Sequence, residues 1–257
     1  MRIARIRLRV GGLADVEPFY RGHFGMRTFD ADNALVLGYD DGQCLLEFHE
    51  GGHEPFYDGP DGLYWKIGIT LRDLDVAVAY LRQRGLSVSE PRQFQDIGYM
   101  CHLRDPNGFP IELLQQGFEG NQKPLGPRDG HPVACQATLA HVTLRVGDLA
   151  AAKAMCEGEF GMRLMSVQPV ALADRAFCLY FYAWSQDALP NVDLEAIENR
   201  EWLWARPYTL LELQHVEPLE RGVRHRMANE AGFDGLGFID DDERLRYISA
   251  DKFAAFG

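Results

Sequence analysis

The chain has 257 residues, of which 46% are hydrophobic and 25% are charged, and its formal net charge is −12. This balance excludes a disordered, collagen-like or disulfide-scaffold protein, and an acidic chain without clustered Lys and Arg is a poor nucleic-acid binder. The five cysteines are widely spaced and form no C-x-x-C pair, and no run of 18 apolar residues occurs. We therefore expect a cytoplasmic protein with reduced thiols and with no nucleic-acid or membrane partner.

Two segments of the chain repeat each other. Residues 6–27 read IRLRVGGLADVEPFYRGHFGMR, and residues 142–163 read VTLRVGDLAAAKAMCEGEFGMR. At a constant offset of 136, 11 of these 22 positions are identical. A match of this extent without gaps predicts two copies of one module.

Within the first copy, two units follow the same order of elements. An alternating apolar strand that includes Arg5 precedes a helix predicted over 16–24, and a similar strand from Lys66 precedes a helix predicted over 74–84. A glycine follows each helix, as is typical of a C-cap. Shorter strands are predicted over 34–39, 44–49, 99–104 and 110–115, and a tight turn over 105–108 joins the last two. Each unit is therefore one strand, one helix and about three strands.

A third unit begins with the strand at His141. A long insertion over 184–207 precedes a strand predicted over 209–215, and a strand over 235–239 begins a fourth unit. Only 22 residues follow Gly235, whereas 46 separate Lys66 from Glu112. The fourth unit is therefore too short to be complete.

These units predict the domain organisation of the chain. A Gly/Pro-rich stretch over 119–138 is typical of a linker. It separates a complete module over 1–118 from a second module over 139–257 that contains the insertion and the truncated last unit. The missing strands leave one sheet edge uncovered, which predicts either a homodimer or a rearranged C-terminal cap.

Three motifs of the units are similar to those of a known superfamily. Modules open on L-R-V, their helices end in F-G-M, and the first module closes on D-P-N-G-x-x-I-E over 105–112. In these motifs the chain resembles the vicinal-oxygen-chelate superfamily, which includes glyoxalase I, extradiol dioxygenases and bleomycin-resistance proteins. The second module is most similar to glyoxalase I. The resemblance implies an α+β fold of βαβββ units whose curled mixed sheets enclose a cavity for a small-molecule substrate or ligand.

The resemblance also implies inward-facing ligand positions on the first and last strands of each unit. These positions hold Arg5 and Glu47 in the first unit, Lys66 and Glu112 in the second, His141 and Glu212 in the third, and Gly235 in the fourth. Arg has no free lone pair for a metal, and Lys binds one only when it is deprotonated. Because a buried carboxylate needs a partner, we predict that Arg5 and Lys66 pair with the carboxylates of their units. The alternative is that both cations point to solvent.

One metal site is implied if the modules pair as in glyoxalase I, with the second unit facing the third. His141, Glu112 and Glu212 then converge as one imidazole and two carboxylates, which suit Zn²⁺, Ni²⁺, Fe²⁺ or Mn²⁺. If each module closes on itself, His141 and Glu212 alone are too few ligands. A plain hydrogen-bonded pair of these two side chains, with no metal, is the remaining alternative.

Two classes of function follow from the resemblance. The first is a glyoxalase-like lyase or isomerase in which Glu112 or Glu212 removes a proton beside a carbonyl, and a metal or Lys66 stabilises the enediolate oxyanion. His102 is either an acid–base group of that site or a strand histidine without a role. The second class is a non-catalytic binding protein with an acidic, aromatic-lined cavity. A ring-cleaving dioxygenase is disfavoured, because neither module keeps two His and one Glu.

Overall fold

A computed structural model describes residues 1–57, 59–124, 130–216 and 223–255 of the chain. The strands are β1 (Arg2–Val10), β2 (Arg27–Phe29), β3 (Leu35–Gly38), β4 (Leu45–Glu50), β5 (Tyr64–Leu71), β6 (Arg92–Phe94), β7 (Gly98–Arg104), β8 (Pro110–Gln115), β9 (Thr138–Val146), β10 (Arg163–Ala171), β11 (Ala176–Ala183), β12 (Leu210–Val216), β13 (Gly232–Ile239) and β14 (Leu245–Ser249). The helices are α1 (Val16–Phe24), α2 (Leu74–Gln83), α3 (Leu149–Lys153), α4 (Glu198–Trp204) and α5 (Ala250–Ala254), and α3 continues into a π-helical segment (Ala154–Glu159). Among these residues, no helix is long and apolar enough to cross a membrane.

The strands form two sheets, and each sheet combines units from both halves of the chain. One sheet has the order β14-β13-β1-β4-β3-β2, and the other has the order β10-β11-β12-β9-β5-β8-β7-β6. In the larger sheet β5 runs antiparallel to β9, so that the second unit joins the third. In the smaller sheet β1 runs antiparallel to β13. The predicted α+β class with mixed sheets is confirmed, and the units pair across the two halves rather than each half closing on itself.

The first two helices follow from the spacing of their apolar residues. α1 buries Val16, Tyr20 and Phe24, which recur at intervals of four residues and therefore share one helical face. It ends at Gly25, whose φ of 67° lies in the left-handed region that favours glycine. α2 starts after Asp73, whose side chain accepts a hydrogen bond from the backbone N–H of Val76. The predicted helix over 16–24 is confirmed, and the second helix ends one residue earlier than predicted.

The end of the chain forms a cap instead of a fourth complete unit. β13 and β14 form an antiparallel pair, and α5 follows at once. Phe253 of α5 is buried, with its ring centroid 6.0 Å from that of Phe233. Gly235 has a φ of 141°, and a Cβ there would overlap the carbonyl oxygen of Ile248. A metal-ligating side chain therefore has no room at this position.

The insertion between β11 and β12 carries a helix that the sequence did not predict. Leu203 and Trp204 of α4 are buried in a second apolar cluster with Phe181 and Met165. The indole N–H of Trp204 donates to the carbonyl oxygen of Ile97 at 2.8 Å, which ties the insertion to the first half of the chain. Residues 125–129 of the predicted linker lie outside the described residues.

Candidate functional site

A cavity of about 940 Å³ opens on one face of the eight-stranded sheet, where the second and third units meet. This volume lies in the range of small-molecule sites. The lining side chains alternate along their strands and therefore share a face, as period two requires. From the sheet and the insertion they include Lys66, Met100, His102, Glu112, Leu114, His141, Arg145, Phe177, Leu179, Phe181, Trp204, Glu212 and Gln214.

Strand register brings the four polar residues of the cavity floor together. Gly68 of β5 pairs with both Glu112 of β8 and His141 of β9. Thr143 of β9 pairs with both Lys66 of β5 and Glu212 of β12, so the four functional side chains converge from four adjacent strands. A Cβ at position 68 would overlap the His141 ring, so the imidazole lies over the glycine.

Glu112 is the most highly coordinated carboxylate of the floor. Its Oε2 accepts a hydrogen bond from Lys66 Nζ at 2.6 Å and lies 3.0 Å from His102 Nε2, and its Oε1 lies 3.2 Å from His141 Nε2. Burial alone would raise the pKa of this carboxyl. The Lys66 ammonium and the two imidazoles outweigh that effect and hold the pKa well below its usual value. Glu112 is therefore an anion that holds the Lys66 ammonium in place.

Glu212 has a different environment from Glu112. Its Oε2 accepts a hydrogen bond from the Thr143 hydroxyl at 2.9 Å and lies 3.3 Å from His141 Nε2 and 3.9 Å from Lys66 Nζ. Its Oε1 is buried and has no hydrogen-bond partner among the described residues. A buried acceptor without a partner is costly, and such an atom is available to a proton that arrives with a ligand.

His102 connects the floor to solvent. It lies on β7 opposite Glu112 in the β7–β8 register, and 42% of its side chain is exposed, whereas Glu112 is 4% exposed. The sequence placed His102 near the site, and the structure puts its Nε2 in hydrogen-bond range of the Glu112 carboxylate. An imidazole in this position is able to relay a proton between a buried carboxylate and water.

The cavity walls combine aromatic rings with basic side chains. The rings are Tyr57, Trp65, Phe94, Phe177, Phe181 and Trp204. The charged lining residues are Lys66, Arg92, Arg145 and Arg175 against Asp61, Glu112 and Glu212. The predicted aromatic lining is thus present, but the expectation of an acidic cavity is wrong, because the acidity of the whole chain is not concentrated here.

Sequence reasoning missed Arg145 and Trp204 as lining residues. The Arg145 side chain donates to Gln214 and to the carbonyl oxygens of Gly59 and Gly62, which fixes the guanidinium beside the floor. Side chains at every second position of a strand share a face, so Arg145 lies on the same face of β9 as His141. The sequence alone could therefore have identified Arg145 as a lining residue. The centroid of the Trp204 ring lies 6.1 Å from that of His141. No local sequence pattern predicts this contact.

The equivalent ligand positions of the first unit lie on the six-stranded sheet. Arg5 Nε is 3.7 Å from Glu47 Oε2, but Arg7 Nε lies closer, at 2.9 Å from Oε1. Tyr247 donates to Glu47 Oε2 at 2.9 Å, and His49 Nε2 is 2.6 Å from Oε1. Glu47 is therefore neutralised within the protein, as predicted, with Arg7 as a nearer partner that the sequence did not suggest.

The first half of the chain is similar in sequence to a large superfamily of known proteins. The Glyoxalase/Bleomycin resistance protein/Dioxygenase superfamily matches residues 2–113. This match covers just under half of the chain. The resemblance found in the sequence motifs is thereby confirmed, and members of the superfamily typically use a divalent metal ion and bind small-molecule ligands.

A plant protein and the solved structure of a plant enzyme are among the proteins similar to this chain. The chain is 29% identical over 175 residues to a protein of Brassica oleracea var. gemmifera named "Putative lactoylglutathione lyase". That match covers 64% of this chain and 56% of the relative, so the chain spans just over half the length of the curated protein it matches. The structure of glyoxalase I from Zea mays has a TM-score of 0.63 at 20% identity, covering 91% of this chain and 73% of the other. The similarity in structure supports the fold assignment.

The donors at the cavity floor do not fit a divalent metal ion as they stand. His141, Glu112 and Glu212 converge, but the Lys66 ammonium lies against Glu112 Oε2, one of the atoms that a metal would need. Among the described residues, no group of three or more His, Cys, Asp or Glu side chains is arranged to hold a metal. The floor already contains a cation that compensates its carboxylates.

Proposed function

We propose that the protein is a glyoxalase-like enzyme of the lyase or isomerase type that moves a proton beside the carbonyl of a small substrate. Two features of the floor of the aromatic-lined cavity carry this proposal: Glu212 Oε1 has no hydrogen-bond partner in the described part of the chain, and the Lys66 ammonium lies 3.9 Å from the other oxygen of the same carboxylate. Proton removal next to a carbonyl requires a base and a cation or donor at the developing oxyanion.

Glu212 suits the role of base better than Glu112. Three donors surround Glu112 and keep its pKa low, so this carboxylate is a weak proton acceptor. Glu212 keeps one oxygen free of hydrogen bonds. In the proposed reaction on an α-hydroxy carbonyl compound, Glu212 takes the proton from the hydroxyl-bearing carbon, and the electron pair of the broken C–H bond forms the C=C bond of an enediolate while the carbonyl oxygen becomes the oxyanion. Glu212 then returns the proton to the former carbonyl carbon, and the hydroxyl proton passes to the former carbonyl oxygen.

Lys66 supplies the positive charge for the enediolate oxygen. Its ammonium is held by Glu112 and lies 4.5 Å from the centroid of the Trp65 ring, so that it is fixed before the substrate arrives. A charged group that is already in position before the reaction stabilises a transition state most effectively, because no protein group has to move. His102 Nε2 lies in hydrogen-bond range of Glu112 at the solvent side of the floor, and His141 Nε2 lies between the Glu112 and Glu212 carboxylates.

A second candidate function is ligand binding without catalysis. It is favoured by the contacts among Lys66, Glu112 and His141, in which the Lys66 ammonium neutralises the Glu112 carboxylate without any ligand. The aromatic walls then supply the binding energy. This candidate predicts saturable binding of small molecules and no chemical change in them.

Deuterium exchange separates the two candidates. Lactoylglutathione, the compound in the name of the relative, and simpler α-hydroxy carbonyl compounds are incubated with the protein in heavy water, and loss of the α-proton signal is followed by NMR. We expect exchange faster than in buffer and at least about 100-fold slower with Glu212→Gln. Glu47→Gln changes the equivalent carboxylate in the other sheet and should exchange like the wild type. Binding of these probes without exchange would support the second candidate and contradict the first.

A further inference from the structure

We infer that the Lys66 ammonium occupies the place of a divalent metal ion at the cavity floor, and that this one side chain keeps the site free of metal. The inference rests on the site that the proposed function uses. Its test measures metal content rather than turnover, so the two proposals can fail separately.

The internal repeat identifies position 66 as a position of metal-ligand type. Aligning the units places Arg5, Lys66 and His141 at equivalent positions of their first strands, while their last strands hold Glu47, Glu112 and Glu212. The strands of Lys66 and His141 are antiparallel neighbours. The second and third units therefore face each other with one Glu each, but only the third contributes an imidazole. A second histidine at position 66 would complete a set of two imidazoles and two carboxylates.

Two contacts of His141 at the floor have the spacing of a pair of metal-ligand atoms. His141 Nε2 lies 3.2 Å from Glu112 Oε1 and 3.3 Å from Glu212 Oε2. Two ligand atoms bound to one Zn²⁺ at about 2.1 Å, with a tetrahedral angle between them, are separated by about 3.4 Å. Within the part of the chain that the structure describes, neither ring nitrogen of His141 has a hydrogen-bond partner of good geometry, although both are buried. Nε2 of the imidazole thus faces the two carboxylates, but no hydrogen bond of good geometry holds the ring there.

Charge explains why Lys66 excludes a metal. The Lys66 ammonium offsets one of the two carboxylate charges and leaves a net charge of −1, so a divalent ion would reverse the net charge of the floor to +1. The ammonium lies 2.6 Å from Glu112 Oε2 and 3.9 Å from Glu212 Oε2, so a metal bound by both carboxylates would lie within a few ångströms of it. Repulsion between two buried cations at that separation is large. Without Lys66, the same two buried carboxylates would require a cation.

The test is a gain of metal binding on removal of Lys66. Wild type, Lys66→Gln and Lys66→His are stripped with chelator, equilibrated separately with Zn²⁺, Ni²⁺ or Mn²⁺, and passed through gel filtration before metal analysis by mass spectrometry. Titration calorimetry gives the affinities. We expect the wild type to retain well below one ion per chain and both variants to retain about one, with affinity for at least one metal raised at least about 100-fold. The double variant Lys66→His/His141→Ala should lose the gain.

A matched control is Arg5→Gln. It removes a cation at the repeat-equivalent position of the six-stranded sheet, where Arg7 and Tyr247 still neutralise Glu47, and it should retain no metal. Circular dichroism and thermal unfolding establish that each variant is folded. Stoichiometric metal in the wild type that disappears on His141→Ala would overturn the inference, and this measurement needs no Lys66 variant. A folded Lys66→His protein that gains no metal would overturn it equally.

Discussion

At the scale of single residues, the cavity floor depends on Gly68, which has no chemistry of its own. The ring of His141 lies over this glycine, in the space that a side chain would fill. The same absence of a side chain lets β5 lie between Glu112 and His141 in the strand register without separating their side chains. A glycine in a strand interior weakens the strand, so its presence here indicates a local packing requirement.

Gly68→Ala is therefore expected to displace the imidazole of His141. Overpacking of a buried site of this kind costs about 1–3 kcal/mol in the free energy of unfolding, measured by urea denaturation. The ring of His141 should also lose its ordered signal in NMR spectra. Gly12→Ala is the matched control, because no atom lies within 4 Å of a Cβ there, and its effect should stay within about 0.5 kcal/mol. A Gly68→Ala protein as stable as this control would contradict the packing argument.

At the scale of elements, the turn between β7 and β8 fixes the last strand of the second unit, which carries Glu112. Asp105 accepts hydrogen bonds from the backbone N–H groups of Asn107 and Phe109 at 2.9 Å, and the Tyr20 hydroxyl donates to its Oδ2 at 3.2 Å. Burial raises the pKa of Asp105 to about 6 despite these donors. The D-P-N-G turn is thus also a point where α1 is attached to the sheet.

The raised pKa of Asp105 gives a pH dependence with a definite sign. Because the folded protein holds the proton more tightly than the unfolded chain does, the contribution is stabilising at low pH and is lost as the pH rises from about 4 to about 6. The difference amounts to about 3 kcal/mol. Asp105→Asn removes this titration, so the gap in unfolding free energy between variant and wild type should change by that amount across the window. Denaturation curves at several pH values test this, and a constant gap would contradict the assignment.

The sequence predicted the elements with strong local signals. The helix over 16–24 and the strand over 110–115 agree with α1 and β8 to the residue, because apolar periodicity and the flanking turns define them locally. The three-residue strands β2 and β6, and the hairpin partner β14, were not predicted. Such short edge strands are specified by their neighbours in the sheet rather than by their own residues.

The sequence predicted those residues of the candidate site that the internal repeat places at equivalent strand positions. The repeat singled out Lys66, Glu112, His141 and Glu212, and the pairing of β5 with β9 brings them together. Arg7 was missed because Arg5 and Arg7 lie on the same face of β1, and only the geometry distinguishes which guanidinium reaches Glu47 first. The contact of Trp204 with His141 depends on how the insertion folds back, which no local sequence pattern specifies.

At the scale of the whole molecule, the halves of the chain complete each other's sheets. β1 takes β13 as a neighbour and β5 takes β9, so each opening strand of the first half is covered by a strand of the second half. The Arg145 side chain adds hydrogen bonds to the carbonyl oxygens of Gly59 and Gly62. The cavity floor draws two functional residues from each half, and it exists only when both halves are folded together.

A fragment of residues 1–118 is accordingly not expected to be a stable monomer. Without β9 and β13, the edges of β5 and β1 present unpaired backbone groups beside buried apolar residues such as Ile67 and Ile6, and such edges pair with other chains. Size-exclusion chromatography with light scattering should find dimers or larger aggregates of the fragment. Mixing the fragment with residues 130–257 should restore a 1:1 complex, because the missing strands are then supplied. A folded monomer of residues 1–118 would show instead that the first half closes on itself, and it would remove the physical reason for a floor shared between halves.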